Sequence, residues 1–171
     1  HKGSAFGALG ELPQPSVEQF ENDLFDDLSA LDHQRRIWVE NESRSIGRVF
    51  VPQAVWEKMR AAVLIHAELP FNHRVQRLLK EYAHFPQEQL EEALRKIERR
   101  MGGQHVKAAL EAFQAGDLAT ATGIALEYYD KTYTHATSKG NFSQKIHFEP
   151  AILNSRNIAE SLIELANDNK L

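Results

Sequence analysis

Apolar positions recur along the chain with the spacings of helices and of strands. Between Pro15 and Leu31 they follow one another every three or four residues, which predicts a helix with one apolar face. Ser16 is the expected N-cap of this helix, with Gln19 as its capping-box partner. The run at residues 37–39 (Ile-Trp-Val) is short and rich in β-branched and aromatic residues, so it predicts a buried strand at residues 36–40.

The remaining elements alternate between strand-like runs and helical spacings. A short helix at residues 53–62 follows the apolar run 49–51, and a strand at residues 63–69 follows that helix. Two strands separated by a helix of this length predict a βαβ unit with a parallel pair. Further expected elements are an edge strand at 142–148 and helices at 71–85, 86–100, 104–115, 117–129 and 154–167. The pattern therefore predicts an α/β fold that is rich in helix, with an αα-hairpin around Gly116.

Polar side chains follow the strand predicted at residues 36–40. Glu40, Glu42 and Ser43 come directly after it, and Arg44 and Arg48 bracket the next apolar position. Open α/β sheets bind ligands beyond the carboxyl ends of their strands. We therefore expect the two glutamates to organise a catalytic site, one positioning a cation, water or arginine and the other holding the loop. An ordinary strand leaving the core through a charged loop is the alternative.

Two further groups of residues suit anion binding. Arg74 and Arg77 are three residues apart on a predicted helix, so both project from one face. Guanidinium groups recognise phosphate through a planar fork, although the pair could equally be solvated surface charge. The glycines of residues 1–13 permit an anion-binding loop, or simply a flexible one. The candidate anion-binding residues are His1, Gly3, Ser4, Gly7, Ser43, Arg44, Arg48, Arg74 and Arg77.

The densest basic cluster ends the helix predicted at residues 86–100, and its members are Arg95, Lys96, Arg99 and Arg100. Cations are favoured at a helix C-terminus by the macrodipole, so helix chemistry alone can explain them. Tyr133 and His135 lie beside Lys131 in a stretch that is predicted to be rich in turns. Such side chains can stack on exposed bases or dock the αα-hairpin onto the sheet. The cluster, Tyr133 and His135 are candidate nucleic-acid contacts.

Charge is distributed unevenly along the chain. The net charge is −4, but residues 1–34 carry −6 and residues 35–171 carry +2, so a basic face is compatible with the acidic total. The chain has no cysteine, and no run approaches the ~20 apolar residues that a membrane span needs. These features are typical of a cytoplasmic protein without a membrane partner. His66 is interpreted as a sheet or core histidine, and no metal site or cofactor is predicted.

Five segments of the chain resemble the P-loop half of the bacterial tRNA 2-selenouridine synthases. They are His-Lys-Gly-Ser-Ala-Phe-Gly at 1–7, Trp-Val-Glu-Asn-Glu-Ser-Arg-Ser-Ile-Gly at 38–47, and the shorter segments at 79–83, 100–103 and 128–133. The resemblance implies a P-loop NTPase-like parallel sheet, truncated at its front, with a helical insert. It divides the chain into a partial P-loop core at 1–85, a possible tRNA-binding insert at 86–140, and a C-terminal strand and helix at 141–171.

The resemblance also implies a chemistry that these residues do not themselves display. Such enzymes replace sulfur by selenium in wobble 2-thiouridine of tRNA through an S-geranylated intermediate, with selenophosphate and geranyl diphosphate as substrates. The family's phosphate loop and its rhodanese domain with a reactive cysteine are expected upstream of His1, so the fragment alone is expected to be inactive. The expected partners are tRNA, phosphate-bearing small molecules and that rhodanese domain. A P-loop small-molecule kinase and a non-catalytic tRNA-docking module are the alternatives.

Overall fold

The structure is a computed structural model, and it describes residues 4–171. The described chain forms two compact units. Residues 4–13 and 70–140 form unit 1, whereas residues 14–69 and 141–171 form unit 2. These units are grouped differently from the three segments predicted at 1–85, 86–140 and 141–171, because the chain leaves unit 2 near residue 70 and returns to it near residue 141.

Unit 2 contains both sheets found in the described residues, each of two strands. Its elements in chain order are α1 (Val17–Ser29), β1 (Ser45–Ile46), β2 (Val49–Phe50), α2 (Gln53–Ala61), β3 (Val63–Ala67), β4 (Gln144–Phe148) and α8 (Ser155–Asp168). The Ser16 hydroxyl caps α1 by accepting from the Gln19 backbone N–H at 3.1 Å, as predicted. The reciprocal half of the capping box does not form, because the Gln19 amide instead donates to Asp23 at 2.6 Å.

The predicted buried strand at residues 36–40 is wrong. In the described chain these residues form no strand, and Ile37, Trp38 and Val39 are 42%, 49% and 56% exposed. A short apolar run becomes a strand only where a neighbour can take up its backbone hydrogen bonds. No strand of the described residues is available to residues 36–40, since β1 is bonded to β2 and β3 to β4.

The parallel pair of unit 2 joins β3 to β4, with Val63 opposite Gln144 and Ala67 opposite Phe148. The backbone N–H of Glu68 extends this ladder by donating to the Phe148 carbonyl at 2.9 Å. A parallel pair is therefore present, as predicted, but the predicted partner at residues 49–51 is wrong. Its residues Val49 and Phe50 pair antiparallel with β1, and the strand expected at the sheet edge takes its place. All of unit 1's helices lie between these two strands in the sequence.

Unit 1 is helical within the described residues. Its helices are α3 (Phe71–Tyr82), α4 (Gln87–Lys96), α5 (Glu98–Met101), α6 (Gly103–Gln114) and α7 (Leu118–Ser138). Leu94 and Val106 are the largest fully buried side chains and mark the centre of its core. The αα-hairpin of α6 and α7 confirms the prediction, and Gly102, with φ +94°, separates α5 from α6.

Helix α7 continues well beyond the end predicted at residue 129. Tyr133 and His135 therefore lie in a helix, and the turn-rich stretch predicted for them is wrong. Threonines lower intrinsic helix propensity, which explains the error. One of them, Thr132, donates its hydroxyl to the Tyr128 carbonyl at 3.0 Å within the helix. None of the described helices is long and apolar enough to cross a membrane.

Candidate functional site

The candidate site residues predicted between positions 40 and 48 lie in the β1–β2 hairpin of unit 2 and in the loop just before it. Ser45 pairs with Phe50 and Ile46 with Val49, which leaves Gly47 and Arg48 as a two-residue turn. Gly47 has φ +61°, the conformation that such turns require of a first central glycine. The Gln14 side chain accepts from the Arg48 N–H and donates to the Ile46 carbonyl, both at 2.8 Å. Gln14 thus clamps the turn, a role that no signal in the sequence indicated.

The acidic residues of this loop make local hydrogen bonds. The Glu42 carboxylate accepts from the Ser43 backbone N–H at 2.7 Å, and the Ser43 hydroxyl donates to the Ser45 carbonyl at 2.5 Å. The Glu40 carbonyl accepts from the Glu42 N–H at 2.8 Å, while its side chain is exposed. Glu42 therefore makes a hydrogen bond within its own loop, and the loop-holding role predicted for one of the pair stays a prediction. The catalytic role stays a prediction.

The predicted anion-binding arginines belong to different units. Arg44 and Arg48 are exposed residues of unit 2, and the Arg44 Nε donates to the Val51 carbonyl at 3.3 Å. Arg74 and Arg77 belong to α3 of unit 1. Their predicted role in anion binding stays a prediction.

Arg74 makes a bidentate salt bridge within unit 1. Its two terminal nitrogens donate to the Asp130 carboxylate of α7 at 2.6 and 2.8 Å. Arg77 is more loosely held, since its Nε lies 3.9 Å from Glu81 and its side chain is 68% exposed. Any phosphate that binds Arg74 must therefore compete with a carboxylate, whereas Arg77 projects into solvent.

The predicted basic cluster divides into two pairs. Lys96 lies 3.0 Å from Glu92 and Arg95 lies 3.9 Å from Glu91, each one helical turn away on α4. Arg99 and Arg100 follow on α5, and both are exposed. The charges of the first pair are thus offset locally. Arg100 instead belongs to a groove on the surface of unit 1.

We call this groove the basic groove, and it encloses about 410 Å³. Its lining residues are Arg100, Met101, His105, Ile124, Glu127, Tyr128, Lys131, Thr132 and His135. It brings together Arg100 and His135, which were predicted separately as nucleic-acid contacts. His105 was missed by the sequence analysis, since a single histidine on a helix carries no signal of its own. Of the other predicted contacts, Tyr133 lies elsewhere in unit 1, and Arg95, Lys96 and Arg99 do not line the groove.

A second feature of unit 1 is an apolar cavity of about 230 Å³. We call it the apolar cavity, and its lining residues are Ser4, Phe6, Leu78, Leu79, Tyr82, Ala83, Leu90, Phe113, Leu118, Ala121, Thr122, Ala125, Leu126, Tyr129 and Tyr133. The predicted anion residue Ser4 and the predicted tRNA residue Tyr133 both lie on this wall. A cavity with few polar groups suits an apolar ligand better than an anion.

The N-terminal glycine-rich segment is tied to the helices of unit 1 at this cavity. The Tyr129 hydroxyl accepts from the Ala5 backbone N–H at 2.7 Å, and burial raises the pKa of Tyr129 above its ordinary value. Gly7 is buried, and its N–H donates to the Ser4 carbonyl at 3.1 Å. His1 and Gly3 lie outside the described residues. Tyr129 thus anchors the N-terminal loop to helix α7.

Comparison with known proteins connects this arrangement to a family. A family model described as the tRNA 2-selenouridine synthase AAA domain matches residues 1–154. The chain belongs to this family. Membership of the tRNA 2-selenouridine synthase AAA domain family confirms the resemblance that the five sequence segments indicated. Membership of this family also agrees with the P-loop-like α/β fold class. The described chain is rich in helix and has a small parallel sheet.

Curated relatives of the chain are named tRNA 2-selenouridine synthase. The relative from Chromohalobacter salexigens is 32% identical over 79% of this chain and 44% of its own length. The relative from Sulfurovum sp. is 28% identical over 79% of this chain and 45% of its own length. The relative from Shewanella sediminis is 44% identical over 49% of this chain and 23% of its own length. The chain therefore spans less than half the length of these relatives.

No solved structure matches the chain. The part of the chain that matches the family model includes both strands of the parallel pair and every described helix of unit 1. The match ends at residue 154, just before α8 begins at Ser155. The basic groove and the apolar cavity both belong to the matched region.

Proposed function

We propose that this chain is the AAA-domain portion of a tRNA 2-selenouridine synthase, and that it binds tRNA and a phosphate-bearing substrate. The observation that carries the proposal is the family match over residues 1–154, together with the name that the curated relatives share. The proposed reaction replaces sulfur by selenium in wobble 2-thiouridine through an S-geranylated intermediate. Selenophosphate and geranyl diphosphate are its proposed small substrates, and the cytoplasm is its proposed location.

The basic groove is the proposed contact surface for tRNA. Tyr128, Lys131 and His135 follow one another at spacings of three and four on α7, so they share one face of the helix. Arg100 lines the same groove from α5. RNA-binding surfaces combine cations, which neutralise phosphates, with rings on which exposed bases stack. The groove supplies both kinds of side chain at one place.

The apolar cavity is the proposed site of the geranyl chain. Its wall is formed by leucine, alanine and aromatic side chains of α3, α4, α6 and α7. Burying an aliphatic chain stabilises a complex by about 0.8 kcal/mol for each methylene group. An isoprenoid of ten carbons therefore gains several kcal/mol from a cavity of this kind, whereas a bare diphosphate gains nothing from its walls.

A cavity-filling substitution tests the geranyl site. Thr122 lines the apolar cavity from α7, so Thr122→Trp should fill it and weaken geranyl diphosphate binding at least tenfold in calorimetric titrations. Thr134→Trp is the matched control, because Thr134 is exposed on the same helix and does not line the cavity. Inorganic diphosphate, which lacks the chain, should bind both variants equally. Equal geranyl diphosphate binding by both variants would exclude the cavity.

Anion binding is proposed for the exposed arginines of the β1–β2 hairpin, Arg44 and Arg48. Their guanidinium groups can meet phosphate oxygens in pairs, which lysine cannot do. Glu40 and Glu42 are proposed to organise the loop before this hairpin around a reacting group. On unit 1, Arg77 is proposed separately as an anion contact, and Arg74 contributes there only if the anion displaces Asp130.

The activity itself is tested with the complete gene that encodes this chain. Expression in a bacterial strain lacking its own tRNA 2-selenouridine synthase should restore 2-selenouridine, measured by mass spectrometry of digested tRNA. A variant with Arg100→Gln and Lys131→Gln should restore less, because the basic groove loses two cations. A phosphorylated small molecule as the only product, without any selenium in tRNA, would favour the alternative of a small-molecule kinase. Absence of 2-selenouridine despite expression of folded protein would refute the proposed activity.

A further inference from the structure

Two His-x-Glu sequences lie side by side on the parallel strands of unit 2. His66 and Glu68 stand at the carboxyl end of β3, and His147 and Glu149 stand at the carboxyl end of β4. The register of the two strands pairs His66 with His147. Because side chains alternate along a strand, all four lie on one face of the sheet. The sequence analysis missed this group, since its halves are far apart in the chain.

The donor atoms are close enough to share a metal ion. One ligand atom from each of His66, Glu68 and His147 lies within 4.8 Å of the others. The His147 Nε2 is 3.5 Å from the Glu68 Oε2. Two ligands bound to a tetrahedral zinc at about 2.1 Å are themselves roughly 3.4 Å apart. Small rotations of these exposed side chains therefore bring all three within bonding distance of one ion.

We propose that His66, Glu68 and His147 form a binding site for a divalent transition-metal ion, with Zn²⁺ as the best-suited ion. Two imidazoles and one glutamate are a ligand set of catalytic zinc sites, which keep a further position for water or substrate. Imidazole nitrogens select such ions over Mg²⁺, which prefers oxygen ligands. The site lies where open α/β sheets commonly bind their ligands, beyond the carboxyl ends of parallel strands.

The arrangement of the two histidines favours a metal over a surface ion pair. The rings stack with centroids 5.9 Å apart and planes inclined by 18°. The His147 Nε2 has carboxylate oxygens of both Glu149, at 2.9 Å, and Glu68, at 3.5 Å, close to it. A shared divalent cation can bind both imidazoles and the Glu68 carboxylate at once, whereas an ion pair uses only one ring.

Zinc titration of the chain tests the proposal. The protein is purified without a histidine tag, freed of metal by chelation and titrated calorimetrically with zinc chloride. We expect one ion per chain in the wild type. His66→Asn and His147→Asn should each lower the affinity on the order of 100-fold, since even residues behind a metal's ligands contribute about 10–100-fold. His33→Asn is the matched control, because His33 is an exposed histidine of unit 2 outside the group.

Two results would overturn the site: no uptake of zinc by the wild type, or equal binding by the wild type and by a His66→Asn/His147→Asn variant. Circular dichroism of each variant shows whether it is folded. If the variants fail to fold, Co²⁺ bound to the wild type provides the second measurement. An intense visible absorption from four-coordinate cobalt supports the site, and the weak spectrum of hydrated cobalt refutes it. Neither measurement depends on tRNA or on catalytic activity.

Discussion

At the scale of single residues, Arg74 links two helices of unit 1 through its guanidinium group. Arg74 was predicted to bind phosphate, and it forms a bidentate bridge to Asp130 that joins α3 to α7. A guanidinium fork matches a carboxylate as well as it matches a phosphate, so the residue type alone does not choose between them. The choice depends on Asp130, which is distant from Arg74 in the sequence.

Arg74→Lys should therefore lower the free energy of unfolding by about 1 kcal/mol, because lysine keeps the charge and loses the two-bond geometry of a partly exposed pair. Urea denaturation measures the change. Arg77→Lys is the control and should cost less than about 0.5 kcal/mol, since Arg77 is largely exposed. In a double-mutant cycle, Arg74→Lys and Asp130→Asn should be non-additive. Additive effects would show that the bridge does not contribute.

Tyr129 gives the structure a dependence on alkaline pH. Burial raises its pKa above the ordinary value of 10.0, while the hydrogen bond from Ala5 acts in the opposite direction. Above pH 10 the Tyr129 phenol therefore loses its proton in the unfolded chain before it does so in the folded chain. The free energy of unfolding that Tyr129 contributes is fully present below pH 10 and is lost as pH rises through the folded-state pKa. An absorbance titration of tyrosinate should show a late-ionising fraction that belongs to Tyr129.

Tyr129→Phe should remove this late-ionising fraction and weaken the fall in stability above pH 10. Tyr133→Phe is the control, because Tyr133 is 41% exposed. The late-ionising fraction of this variant should match that of the wild type. A late fraction that survives in Tyr129→Phe would contradict the assignment.

At the scale of the elements, helix α7, which contributes most of the basic groove's lining residues, begins at a capping aspartate. The Asp117 carboxylate caps this helix by accepting from the Thr120 hydroxyl at 2.7 Å and from the Thr120 N–H at 3.0 Å. The hydrogen bond from the Thr120 hydroxyl, and secondly that from the Thr120 N–H, hold the pKa of Asp117 below its ordinary value of 3.8. The stability that the cap adds is present above that pH and is lost as pH falls through the folded-state pKa.

Asp117→Ala should lower the melting temperature at pH 7, whereas Asp117→Asn should keep most of it, because asparagine caps helices about as well as aspartate. Asp117→Asn should also weaken the loss of stability below pH 3.8. Thermal melts followed by circular dichroism between pH 2 and pH 7 measure both effects. The cap assignment fails if alanine and asparagine behave alike.

Sequence periodicity predicted the helices and most of the strands, but it failed at residues 36–40 and in the choice of strand partners. Helices are stabilised by contacts within one segment, so Ser16 and the spacing of apolar residues sufficed to predict α1. Strands depend on a distant partner, and residues 37–39 have the composition of a strand without a partner in the described chain. The end of α7 was misjudged for a similar reason, since packing overrides the weak helix propensity of threonine.

At the scale of the whole molecule, the family was predictable and the groups that line its sites were not. The segments at residues 1–7 and 38–47 indicated the family, which the match over residues 1–154 confirms. The basic groove combines α5 with α7, and the metal-ligand group combines β3 with β4. Both depend on long-range packing that periodicity does not report. Such groups become visible only when the chain is folded.

The central claim, that unit 1 carries a tRNA-binding surface, has a direct test in the salt dependence of tRNA affinity. Each phosphate contact steepens the decline of log K with log salt by about 0.7–0.9. Arg100→Gln with Lys131→Gln should therefore flatten the slope by about 1.4–1.8 in filter-binding measurements. Arg95→Gln with Lys96→Gln should leave it nearly unchanged, because Glu91 and Glu92 already offset those charges. Equal slopes for the wild type and both double variants would contradict the account.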